Sequence, residues 1–181
     1  MASRGGPAHA LSRDDHWPRW RTAVAFAAAA FVLHWAWETA HGVAYVETDM
    51  PLLDRLWHCL PMAVVDTAWS GAVVLVGIIA SRSLRRPWLT WAVGVAAGAL
   101  TATWVEHAAL QSGRWTYNAR MPILPVIEVG LWPVLQMSLL PPIALLMAAK
   151  FSRTWSRYAS VSAPWGSSQR GEGAERRQRI R

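Results

Sequence analysis

A single cysteine, Cys59, stands in 181 residues, so no disulfide can form within the chain and its thiol content gives no redox compartment. Charge is scarce as well. Only 16% of residues are Asp, Glu, Lys or Arg against 53% hydrophobic, and the charges are pushed into loops and tails. No internal repeat of the kind that builds carriers is visible. Neither Cys59 nor Ser70 sits in a motif that would mark a catalytic nucleophile. These absences argue against a disulfide-stapled domain, a covalent hydrolase and a repeat-built transporter. A net charge of +7 in a soluble protein would point to nucleic acid. Here the basic residues flank apolar runs, where membrane topology accounts for them, and no nucleic-acid partner is expected.

What the chain has is four long apolar runs, about 21–41, 56–80, 88–110 and 126–150. A run of ~20 such residues covers a ~30 Å hydrocarbon core as a helix. The reading is an all-α, polytopic membrane protein: a polar cytoplasmic tail at 1–20, a four-span domain at 21–150 and a basic, disordered cytoplasmic tail at 151–181. A cleaved signal peptide is the competing reading of 21–33. The long leader and the lack of a small-residue cleavage site before His34 argue against it. Fifteen Lys and Arg lie before the first run, in the 81–87 loop and after the fourth run, while Arg55, Arg114 and Arg120 are all that the other two loops hold. The positive-inside rule then places both termini in the cytoplasm. The lipid bilayer is the first partner. Gly94 and Gly98, four apart among alanines, let a neighbouring helix approach closely, within the chain or in a homo-oligomer. Pro133, Pro141 and Pro142 each remove an amide donor from the fourth run and predict a bend.

Ionisable groups inside spans are expensive and mark function by default. His34, Glu38 and His41 fall within about 60° of one another on the first helix. With the topology above, Asp66, Glu106, His107, Glu128 and Gln136 all come to the same, extracytoplasmic half, and the cytoplasmic halves hold no counterpart. Glu128 is expected in the first turn of the fourth span and His58 at the mouth of the second. The prediction is a polar cavity lined by His34, Glu38, His41, Asp66, Glu106, His107 and Glu128, with Trp35, Trp37, Trp104 and Trp132 as aromatic walls. Above it lies the 111–125 loop, whose Arg114, Trp115, Tyr117 and Arg120 suit a headgroup-level lid, with Arg114 or Arg120 receiving an anion. The bland alternative is that near-terminal polar groups snorkel to water or tie helices together.

The pairs Trp37-Glu38 and Glu106-His107, with Asp66, Gly113-Arg114-Trp115-x-Tyr117, Met121-Pro122-x-Leu124-Pro125 and Gly130-Leu131-Trp132-Pro133-x-Leu135-Gln136, resemble a group of small bacterial multi-pass membrane proteins. The resemblance spans about residues 30–142. It implies a membrane protein and carries no mechanism with it.

Chemistry follows from the residue types. Glu38, Asp66 and Glu106 are the candidate catalytic acids and bases, acting on a lipid or isoprenoid bound by Trp37, Trp104, Arg114, Tyr117, Glu128 and Gln136. Trp faces favour a developing carbocation. A metal version uses His34, His41 and His107 with those carboxylates, a donor set suited to Zn, Fe or Mn. Glu38-x-x-His41 matches the spacing of carboxylate di-metal bundles, although it occurs once where they use it twice. Alternatives are a non-catalytic assembly or partner-binding subunit, and a small transporter or proton relay.

Overall fold

A computed structural model describes residues 19–161. Most of the expected N-terminal tail and the end of the basic tail therefore lie outside the described residues. The first apolar run forms α1, Arg19–His41, which tightens into a 3-10 turn over Gly42–Ala44. Two helices follow where one was expected: α2, Leu52–His58, and α3, Leu60–Ser83. Pro61 lies at the start of α3 and lacks the amide that would carry the ladder through from α2. His58 thus ends a short helix instead of opening the long one. α4, Leu89–Gln111, comes after a short basic connector in which Arg85 takes a positive φ of 53°.

The chain then forms a small antiparallel hairpin before α5, Leu131–Val161. Strands β1, Ile123–Leu124, and β2, Val129–Gly130, pair Ile123 with Gly130 and Leu124 with Val129. Here the expectation for Glu128 fails. Its amide donates to the Leu124 carbonyl at 2.8 Å, its φ is 52°, and its side chain is exposed in the hairpin turn. Two prolines, Pro122 and Pro125, withhold helical donors from this stretch, so α5 starts five residues later than the hydropathy edge suggested. At its other end α5 continues past Lys150 to Val161, through the first part of the expected tail.

Among the described residues, three helical stretches are long and apolar enough to cross a membrane: Trp20–Ala44, Leu60–Ser83 and Leu131–Ser152. α4 is as long as α1, at 23 residues, and carries the polar Glu106, His107 and Gln111 toward its C-terminal end. α1 packs on α3 and α5, and α4 packs on the same two helices. Glycines set two of these approaches. A Cβ on Gly98 would collide with the Met137 carbonyl oxygen of α5. That carbonyl is available because Pro141, four residues on, has no N–H to give it. Gly77 brings α3 close against the Thr90 backbone of α4 in the same manner. Gly94 has open space where a Cβ would go, so of the predicted small-residue pair only Gly98 is a close-contact point.

Candidate functional site

The spacing of four that puts His34 and Glu38 on one face of α1 does the same for Asp66 and Ser70 on α3. These two faces meet, and Gln136 of α5 closes the group. Its amide nitrogen lies 3.0 Å from His34 Nδ1, 2.7 Å from Glu38 Oε1 and 2.9 Å from Asp66 Oδ2. On the other side of the imidazole, His34 Nε2 lies 2.7 Å from Ser70 Oγ. An amide NH2 has two hydrogens, and the two shorter contacts, to Glu38 and Asp66, take both, with His34 Nδ1 as the third neighbour. Glu38 of α1 and Asp66 of α3 thus share one amide nitrogen as their common neighbour. His41 approaches the Glu38 carboxylate at 4.0 Å through Nε2, while its Nδ1 is spent on the Trp37 carbonyl at 2.7 Å.

Glu106 of α4 forms a second centre. It is 4% exposed, and three donors converge on it: the Tyr45 hydroxyl at 3.3 Å, the Trp115 indole at 3.2 Å, and the Tyr117 hydroxyl. Tyr117 oxygen in turn accepts from the Gly130 amide at 2.9 Å, which ties the hairpin to the same point. The two loops that supply these rings are zipped together. Tyr45 and Tyr117 form an isolated β-bridge, Val46 N–H donates to the Thr116 carbonyl, and Asn118 donates to the Ala44 and Val43 carbonyls. Arg120 caps the joint through Asp49 at 3.0 Å and the Val43 carbonyl at 3.2 Å.

Both centres face one cavity of about 760 Å³. Glu38, His41, Asp66, Glu106 and Gln136 supply its polar lining. Met62, Val65, Trp69, Trp104 and Trp115 supply apolar wall, and Trp69 and Trp104 remain 41% and 66% exposed on their outer sides. The lining from α3 and α4 comes from the ends of these helices remote from the Gly77–Thr90 contact. Arg114 stands on the cavity's rim, exposed.

Of the residues singled out in the sequence, Glu38, Asp66, Glu106, His41, Gln136, Trp104 and Arg114 line this cavity. His34 lies fully buried behind it, and Tyr117 reaches it through Glu106. Trp37 and Trp132 pack edge to face with ring centroids 6.4 Å apart, and Trp35 donates to the Leu56 carbonyl at 2.8 Å; none of the three lines the cavity. His107 and Glu128 are outside it too. The proposed ligand set of His34, His41 and His107 is not assembled: both ring nitrogens of His34 are engaged and His107 is elsewhere. Among the described residues, no three His, Cys, Asp or Glu side chains are placed to hold a metal ion.

Ser70, Tyr45, Trp69 and Trp115 take parts that the sequence reading did not give them. For Ser70 the signal was present, one turn beyond Asp66 on the same face. Tyr45 carried none, because its role depends on a loop that arrives seventy residues later. Cys59 lines the cavity as a thiol pushed up to about 11 by burial and by the nearby Glu38, which leaves it a poor nucleophile at neutral pH.

Burial, with Glu106 alongside, raises both Tyr45 and Tyr117 above the ordinary phenol value of 10.0. Since the folded-state values are the higher ones, the stabilisation is complete below pH 10.0 and is lost as pH climbs above it. In a tyrosinate absorbance titration, two of the three tyrosines are therefore expected to stay protonated at about pH 11 in the folded protein and to titrate normally once it is unfolded. Ordinary titration of all three in the folded protein would remove the tyrosine–Glu106 centre. No protein-family model matches the chain, and neither a curated protein nor a solved structure matches it.

Proposed function

We propose that the protein is a four-span enzyme of the bacterial inner membrane, with both termini cytoplasmic, that moves protons on an unsaturated lipid or isoprenoid. In this reading α4 spans alongside the three more apolar helices, and the cavity lies in the extracytoplasmic half. The observation that carries it is the placement of Glu38, Asp66 and Gln136 together in the lining of a cavity to which Met62, Val65, Trp69 and Trp104 contribute apolar wall. Two carboxyl groups held beside one amide can serve as acid and base when one of them carries a proton and the other does not. It can deliver a proton to one carbon of an alkene and recover one from a neighbouring carbon, so the double bond moves and no co-reactant is consumed. Trp69 and Trp104 supply π faces for the positive charge that develops between those steps. Gln136 fixes both carboxyls, and His34, locked between Gln136 and Ser70, fixes Gln136.

Solvent deuterium tests this. In nanodiscs of bacterial lipid extract in D2O, wild-type protein is expected to wash deuterium into a polyprenyl lipid, read by mass spectrometry. Glu38→Gln and Asp66→Asn should lower the rate by about 10²-fold or more while inserting normally. Unlabelled lipid throughout would sink the enzymatic reading. The assembly-subunit alternative then stands if a stoichiometric partner survives those substitutions.

A further inference from the structure

Arg55 is the cation for which the sequence offered only a topological role. It sits in the last turn of α2 and is 8% exposed, yet among the described residues neither its Nε nor its Nη1 has a hydrogen-bond partner. Its stem runs over Gly42, where a Cβ would lie 2.9 Å from Arg55 Cδ and 3.6 Å from Cγ, so the glycine makes the room. Gly42, which its stem crosses, lines the cavity, as do His58 and Cys59 three and four residues on, so Arg55 lies beside the cavity without lining it. Carboxylates within reach of this corner are committed elsewhere. Asp49 is held by Arg120, Glu47 accepts the Thr116 amide at 3.0 Å, and Asp54 is exposed with no bond to its neighbour.

A guanidinium with two of its three nitrogens withdrawn from water and unpartnered is an unfavourable arrangement. It becomes favourable when an oxyanion enters, because the planar fork then makes charge-assisted bonds. We propose that Arg55 receives the phosphate headgroup of an amphiphile whose chain lies in the cavity. A second guanidinium, Arg114, lines the cavity itself and adds to the positive charge around it, which favours an anionic headgroup. The inference rests on the lipid reading above for the chain and stands on Arg55 for the headgroup.

The test is binding and thermal unfolding of the full chain in neutral detergent, with dodecyl phosphate, dodecanol and inorganic phosphate as probes. Dodecyl phosphate is expected to raise the unfolding midpoint of wild-type protein. Its affinity should fall about tenfold or more in Arg55→Met, with dodecanol affected equally little in both. Arg55→Lys should keep part of the preference for the phosphate. Ligand-free Arg55→Met should melt higher than wild type, because an unpaired buried charge has been removed. Equal protection by inorganic phosphate, lost in Arg55→Met, supports the oxyanion site with free phosphate as its source. Unchanged affinity in Arg55→Met, or a lower ligand-free midpoint, overturns the proposal. Binding reads no turnover, so it fails or holds independently of deuterium exchange at Glu38 and Asp66.

Discussion

A Gln136→Leu protein is expected to insert and keep its helices while losing the proton exchange proposed above. The leucine fills similar volume but removes the one nitrogen that touches His34, Glu38 and Asp66 together. Each buried acceptor left without a donor costs about 1–3 kcal/mol, so the unfolding midpoint should fall well below that of wild type. The catalytic loss should be larger still. Freed carboxyls rotate away from the geometry that lets one give a proton as the other takes one, and deuterium exchange into lipid should drop by about 10²-fold or more. Gln136→Glu separates the two effects. It preserves shape and size but adds a third carboxyl, which repels the pair and should abolish exchange more thoroughly than leucine does. A Gln136→Leu protein with full exchange would show that the amide only ties α5 to its neighbours.

The second large effect is on assembly. Gly98→Ala adds a single methyl, and that methyl meets the Met137 carbonyl, a backbone atom that cannot swing aside. Separation of α4 from α5 follows, at about 3 kcal/mol or more. Gly94→Ala is the matched control. Its Cβ enters open space, and alanine is the better helix former by ~1 kcal/mol, so stability should hold or rise. Thermal unfolding in detergent of the two variants decides it. Equal melting would mean that the Gly98 contact contributes nothing.

The helical architecture was legible because apolar runs of this length have few alternatives. α1 and α4 fall within two residues of the expected bounds. Errors gathered where proline acts. Pro61 separates α2 from α3, and Pro122 and Pro125 turn the approach to α5 into a hairpin, carrying Glu128 out to the surface. Hydropathy is blind to a missing amide, and only the donor count corrects it. Within the site, residues at helical spacing came out together: His34 with Glu38, Asp66 and Gln136 are mutual neighbours. What periodicity does not encode is rotation between adjacent positions. Glu106 and its sequence neighbour His107 are ~100° apart on α4, and of the two Glu106 took the inward face. Arg55 was unreadable for a different reason. Its meaning lies in lacking a partner, and a missing contact leaves no mark in a sequence.

The chain is made from its N-terminus, and that order has a consequence for the Gln136 junction. His34, Glu38, Asp66 and Ser70 are all synthesised before the helix that carries their shared donor. Until α5 arrives, two carboxyls and an imidazole must be sheltered from lipid by water or by the insertion machinery, since hydrocarbon offers them nothing. Biogenesis therefore has a late commitment step. Truncation before Leu131 leaves a fragment whose polar faces have no lasting place in a membrane, a natural substrate for quality-control proteolysis.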